Sequence, residues 1–205
     1  MDLAFLDAAQ RAAAAAGLAQ QTCGDAPATA PAPLNPFPDE TFESPGHELF
    51  ACCECGETRA ALVLLEAGAD ARWVNRNEES CVSAAAGAGA VEIIRALARH
   101  GADVDAANIW HMTPAHYAAK HDRPEAIRAL FELGAASEGR DLDGYKPIHA
   151  ACAFGSVGAV KELILLGSSS AVRDNHNWTP VMHALHLDDA AVKKSMVQLI
   201  QKEVE

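Results

Sequence analysis

The sequence predicts an all-α fold, a solenoid of stacked helix–turn–helix units, and three observations carry that reading. First, the stretch from Thr113 to Asp141 reads as two short helices. Thr113-Pro114 is a helix start, because Thr can accept from the free first-turn amides and Pro has no N–H to leave unpaired. Asp122-Arg123-Pro124-Glu125 reads as a second cap-plus-Pro start, after which Ala126, Ile127, Leu130 and Phe131 recur at helical spacing and Gly134 closes the helix. Second, shifting the chain by 33 residues superposes this unit on others. Lys146-Pro147-Ile148-His149 and Thr179-Pro180-Val181-Met182 follow it, while Ser80-Cys81-Val82-Ser83 and His47-Glu48-Leu49-Phe50 precede it. Third, glycines keep the same beat, at Gly68, Gly101, Gly134 and Gly167 after the second helices and at Gly56, Gly89 and Gly155 between helices. A single unit has too little apolar area to fold alone, so its copies must stack.

That period, together with T-P-x-H and G-A-D, resembles the ankyrin repeat. Five repeats run from about Glu43 to the C-terminus, which divides the chain into an Ala-rich helix candidate (1–22), a Pro-rich linker (23–45) and the repeat region (46–205). The resemblance implies an ankyrin-repeat solenoid with short β-hairpin tips. No nucleophile–base set, phosphate-cradling glycine loop or paired acids stand outside positions the repeat explains, so no catalytic role is expected. The resemblance implies binding of other proteins through the tips and through the concave row of first helices.

In order along the chain, residues 1–22 have a thin apolar edge of Leu3 and Leu6, with Asp2 able to cap. No basic residue precedes the apolar part, and Asp2 and Asp7 interrupt it, so it does not read as a secretory signal. A frayed helix and a helix docked over the end of the first repeat both remain open. Six prolines between Cys23 and Pro45 rule out a helix there and make a spacer. In the first repeat His47 stands where Thr is usual, and Cys52-Cys53-Glu54-Cys55 lies in the first helix. Cys52 and Cys55 share a helix face, but a closed zinc site needs four ligands and no second pair supplies them. Core packing is the simpler role, with Cys53 in register with Cys152.

The second repeat has Ser80 as cap, a loosened Gly87/Gly89 turn and Glu78 in a left-handed slot. His116 and His149 invite a catalytic reading, yet the resemblance implies that this His is structural, bonded to the motif Thr; Lys146 replaces that Thr in the fourth repeat. The last repeat places Asn177 in the left-handed slot, puts Asp188-Asp189 in place of the turn Gly, brings Lys193 and Lys194 into the apolar face, and still ends on a stripe of Val192, Met196, Val197 and Ile200. His183, His186 and Asp188 form a faint metal constellation; a surface-exposed helix end explains them as well.

A net charge of −12 argues against nucleic acid and favours a partner with basic flanks. No apolar run is long enough for a membrane span, and six cysteines without disulfide-like spacing fit a reducing compartment, cytoplasmic or nuclear. No cofactor is expected, and the chain is expected to be a monomer. By register, the tips carry Trp110, Met112, Tyr145 and Trp178, and the first-helix ends carry His121, Phe154, His186 and Leu187. Trp and Tyr dominate binding hot spots and are poor choices for bare surface. The expectation is therefore an apolar stripe that binds a protein or peptide. A substrate-recruiting adaptor domain of a larger assembly, and a Cys/His metal or redox protein, are the alternatives.

Overall fold

A computed structural model of the chain describes residues 44–136 and 139–201. The helix expected over 1–22, all but the last two residues of the linker expected over 23–45, and the final residues of the chain lie outside the described residues.

Five helix pairs stack in sequence: α1 (Pro45–Cys55) with α2 (Thr58–Glu66), α3 (Cys81–Ala88) with α4 (Val91–Arg99), α5 (Pro114–Lys120) with α6 (Pro124–Glu132), α7 (Pro147–Phe154) with α8 (Val157–Leu165), and α9 (Pro180–Leu185) with α10 (Ala190–Gln201). First helices pack on first helices and second on second, each layer touching its neighbours along the array. Alanines make the close approach possible. Ala85, Ala118, Ala119 and Ala151 are fully buried between first helices, and Leu65, Ile93, Leu97, Ile127, Leu130, Leu163 and Met196 fill the core beneath the second helices. Each such Leu or Ile stabilises the stack by roughly 1.5–3 kcal/mol relative to an exposed one.

The helix ends follow the local sequence, with two departures from expectation. Left-handed glycines close the second helices at Gly68, Gly101, Gly134 and Gly167, as the period requires. The first departure is at α1, which starts a turn earlier than the His47 slot. Ser44 caps it, its Oγ accepting from His47 N–H at 3.2 Å, and Pro45 is the first helical residue rather than the end of a linker. Gly46 permits this start, because a Cβ there would overlap the Trp73 ring. The second departure is Asp122, which does not cap its own helix. It sits in the left-handed turn at φ 52° and its Oδ1 accepts from Ala159 N–H at 2.7 Å, capping α8 in the next repeat. Caps between layers recur: Arg123 Nε donates to Gly87 C=O at 3.1 Å and Ser156 Oγ to Lys120 C=O at 3.1 Å. Arg128 grips Glu162 with two bonds of 2.8 Å across α6 and α8.

The final pair is capped by Asp189, which accepts from Ala191 and Val192 N–H. On α10 Met196 and Ile200 are buried and Val192 and Val197 half-buried, whereas Lys194 is exposed and Lys193 half-buried. The expected hairpins are tight loops; among the described residues, the one isolated bridge pairs Val74 with Ser80. No helix among the described residues is long and apolar enough to cross a membrane.

Candidate binding surface

Each hairpin tip is built on one side chain that recurs with the period. Asn75, Asn108, Asp141 and Asp174 each turn Oδ1 onto two backbone amides, two and four residues ahead. Asn75 accepts from Asn77 and Glu79, Asn108 from Trp110 and Met112, Asp141 from Asp143 and Tyr145, and Asp174 from His176 and Trp178, at 2.7–3.0 Å. This turn bends the chain without a strand partner. It forces one residue left-handed, at Glu78, His111, Gly144 and Asn177. Successive tips are then bolted together, with Ile109 N–H on Asn77 C=O, Leu142 on Trp110 and Asn175 on Asp143. The tips therefore form one continuous ledge. The 33-residue spacing of these four Asn/Asp anchors was open to inspection in the sequence, and it is the signal that locates them.

Beneath the ledge, His116 holds the third repeat to the fourth. Its Nδ1 accepts from Thr113 N–H at 3.1 Å, which leaves the proton on Nε2 to donate to Tyr145 C=O at 2.9 Å. His149 repeats the first half only. Lys146 N–H donates to its Nδ1 at 3.1 Å, but its buried Nε2 makes no hydrogen bond. Burial, with His183 adding repulsion, holds the His149 imidazole down at about pKa 4.

The eight residues expected on the binding surface fall into separate groups. Tyr145 and Trp178 come together over His183, with ring centroids 4.8 and 5.2 Å from it, and Trp178 also leans on His186 at 4.6 Å. Tyr145, His176, Trp178 and His183 line an open pocket of about 260 Å³. His183 is fixed from below by Asp174, Nε2 to Oδ2 at 2.8 Å. Burial of Asp174 works against its charge, yet hydrogen bonds from Trp178 N–H, His183 and His176 N–H hold its carboxyl below the usual range. Trp110 is 44 % exposed, with Met112 half-buried next to it. Phe154, 59 % exposed, lies under the Lys120 ammonium at 4.9 Å. His121 lies elsewhere, on the wall of a notch over the second repeat. Leu187 is half-buried and packs against the core beside Gly155.

Sequence reasoning missed His183 as the base of the Tyr145–Trp178 pair. It also missed Trp73, which packs edge-on against His47 and tilted against Phe50 at the first repeat.

Two of the three clustered cysteines are turned into the core. Cys52 and Cys53 are buried and Cys55 is exposed. Burial, then Glu48 and Glu57, pushes the Cys52 thiol up to about 11, and a hydrogen bond to Cys81 together with burial raises Cys53 well above the usual thiol range. Such thiols stay protonated, which suits packing and not ligation or attack. Of the histidines read as a faint metal set, His183 Nε2 is taken by Asp174 and His186 Nδ1 donates to Met182 C=O at 2.9 Å. Among the described residues no three His, Cys, Asp or Glu side chains are grouped as metal ligands.

A model of ankyrin repeats, in three copies, matches residues 49–141. No curated protein matches the chain.

Proposed function

Since the chain carries ankyrin repeats, units that generally serve in protein–protein interaction, we propose that it binds a partner protein or peptide through the ledge of tips and the first-helix row. The observation that supports this most is the Tyr145–His183–Trp178 group. It presents two large aromatic rings at the surface, Trp178 being 36 % exposed, on tips that are locked to each other and to the helices below. Rigid aromatic anchors lose little conformational freedom on binding, which is why such residues dominate hot spots. Trp110 with Met112, Phe154, His121 and His186 extend the contact, and Leu187 supports it from beneath. Asp143 stands exposed on the same ledge and the chain carries −12, so the partner has an apolar centre with basic flanks.

The test is capture of partners by the intact chain, compared with Tyr145→Ala and Trp178→Ala chains whose melting is followed in parallel. Each substitution should weaken capture by about 2 kcal/mol or more and lower stability less than it lowers binding. Full capture by a chain whose melting temperature has collapsed would make the rings structural and defeat the proposal.

A further inference from the structure

The second repeat has a hollow where the third has long side chains. Along α3, Ala84, Gly87 and Ala88 occupy the positions that Tyr117, Lys120 and His121 hold on α5 in the third repeat. The missing bulk leaves a notch of about 310 Å³, walled by Phe50 on one side and Tyr117 on the other. One end of the notch is acidic and fixed. Tyr117 Oη donates to Glu79 Oε1, Asn75 Nδ2 donates to Glu79 Oε2 at 2.6 Å, and Asn108 Nδ2 holds Tyr117 in turn at 2.9 Å. Glu54 enters the same space from α1, where burial and the nearness of Glu79 raise its carboxyl above the usual range. Arg123 and His121 line the far end, and Arg123 is engaged with Gly87 C=O.

We propose that this notch receives a lysine or arginine side chain from an extended segment of a partner protein, the aliphatic stem lying between Phe50 and Tyr117 and the cationic head between Glu54 and Glu79. The inference rests on the reading of the chain as a protein-binding module, but at a place separate from the tips of the fourth and fifth repeats. Three features select this occupant. Long basic side chains bury their stems against apolar walls while keeping the head in polar surroundings. A carboxylate already oriented by two donors keeps free lone pairs and meets a guanidinium or ammonium without reorganising. The aromatic faces add attraction for a cation. The chain's own residues 1–43 carry six acidic side chains against the single Arg11. They have the wrong charge for this notch.

The experiment is selection of short random peptides on the full chain, followed by binding measurements with the selected peptides. The selected set should share one Arg or Lys, and replacing that residue by norleucine should weaken binding about tenfold or more, as loss of a hydrogen bond to a charged group does. Glu54→Gln and Glu79→Gln should each weaken it about tenfold. Gly87→Leu should abolish binding while leaving the melting temperature unchanged or higher, since a Cβ there meets only His121 Cδ2 at 3.5 Å and Tyr117 Cβ at 4.0 Å. Tyr145→Ala should leave it intact. Peptides with no shared basic residue would overturn the proposal, as would acidic Pro-rich peptides resembling residues 24–43, which would make the notch a seat for the chain's own segment. Basic peptides indifferent to Glu54→Gln and Gly87→Leu, or a selection that yields no binder, would overturn it too. Loss with Tyr145→Ala or Trp178→Ala instead would remove the notch and leave the tip surface standing.

Discussion

Acidification should loosen the fourth and fifth repeats from the histidine range downward, and His149 sets the size of the effect. Its ring is fully buried, Nδ1 is committed to Lys146 N–H, and Nε2 makes no hydrogen bond; the backbone of Val172 and Trp178 favours the charged ring less than burial disfavours it. In the unfolded chain the same imidazole titrates near 6.5; in the fold it titrates at about 4. A base with a depressed folded pKa binds more protons when unfolded, so stability rises with pH and is lost as pH falls through that interval. Linkage with those two values gives a loss of about 1 kcal/mol at pH 5.5 and about 2 kcal/mol at pH 4.5, relative to pH 7. His116, lowered chiefly by burial, acts in the same direction. Asp174 and Glu162 are held below their usual ranges, so their contributions are lost only at lower pH. Glu54, raised by burial, opposes the trend in the carboxylate range. Urea denaturation at pH 7, 5.5 and 4.5 reads the total. Replacing His149 by Gln should remove most of the slope between pH 6.5 and 4.5, whatever it costs at pH 7. A slope that survives His149→Gln unchanged would refute the assignment.

Three further outcomes follow from the backbone and core. Glu78→Gly should raise stability by about 1 kcal/mol in thermal melts, because Glu78 holds φ 58° and an ordinary residue pays roughly 1–2 kcal/mol there; a loss of stability would mean that its side chain matters more than its backbone. Cys53→Ser should cost about 1–3 kcal/mol by burying a hydroxyl in the core, whereas the same change at exposed Cys55 should fall within about 0.5 kcal/mol. Amide exchange should be slowest between Thr113 and Leu166, where proline starts and filled second helices stack on both sides, and faster in the first two repeats; uniform protection would contradict that order.

Much of the fold was legible because it is periodic. The glycine stops, the Ser80 cap and the left-handed slots at Glu78 and Asn177 depend on one or two neighbours in sequence, and all stand where the register puts them. What the register misplaced depends on the next layer. The α1 start moved to Ser44 because Ser-Pro outcompetes His47 as a cap and Gly46 accommodates Trp73. Asp122 looked like a cap for its own helix, but its left-handed backbone turns the carboxylate to Ala159. The surface residues were locatable on tips or helix ends, yet their grouping was not. Tyr145 and Trp178 meet through His183 because Asp174 pins that ring, a contact between side chains nine residues apart. The notch over Gly87 is made by side chains that are absent, which a search for candidate residues does not register.

The central claim is that the ledge around Trp178 is buried by a protein partner, and fluorescence tests it most directly. With Trp73 and Trp110 replaced by Phe, Trp178 remains the sole tryptophan of the chain and can be excited apart from Tyr117 and Tyr145. Saturation with a captured Trp-free partner should shift its emission to the blue and protect it from iodide, as exclusion of water from a hot spot demands. Emission and quenching that stay unchanged at saturation would place the partner elsewhere on the solenoid and contradict the claim.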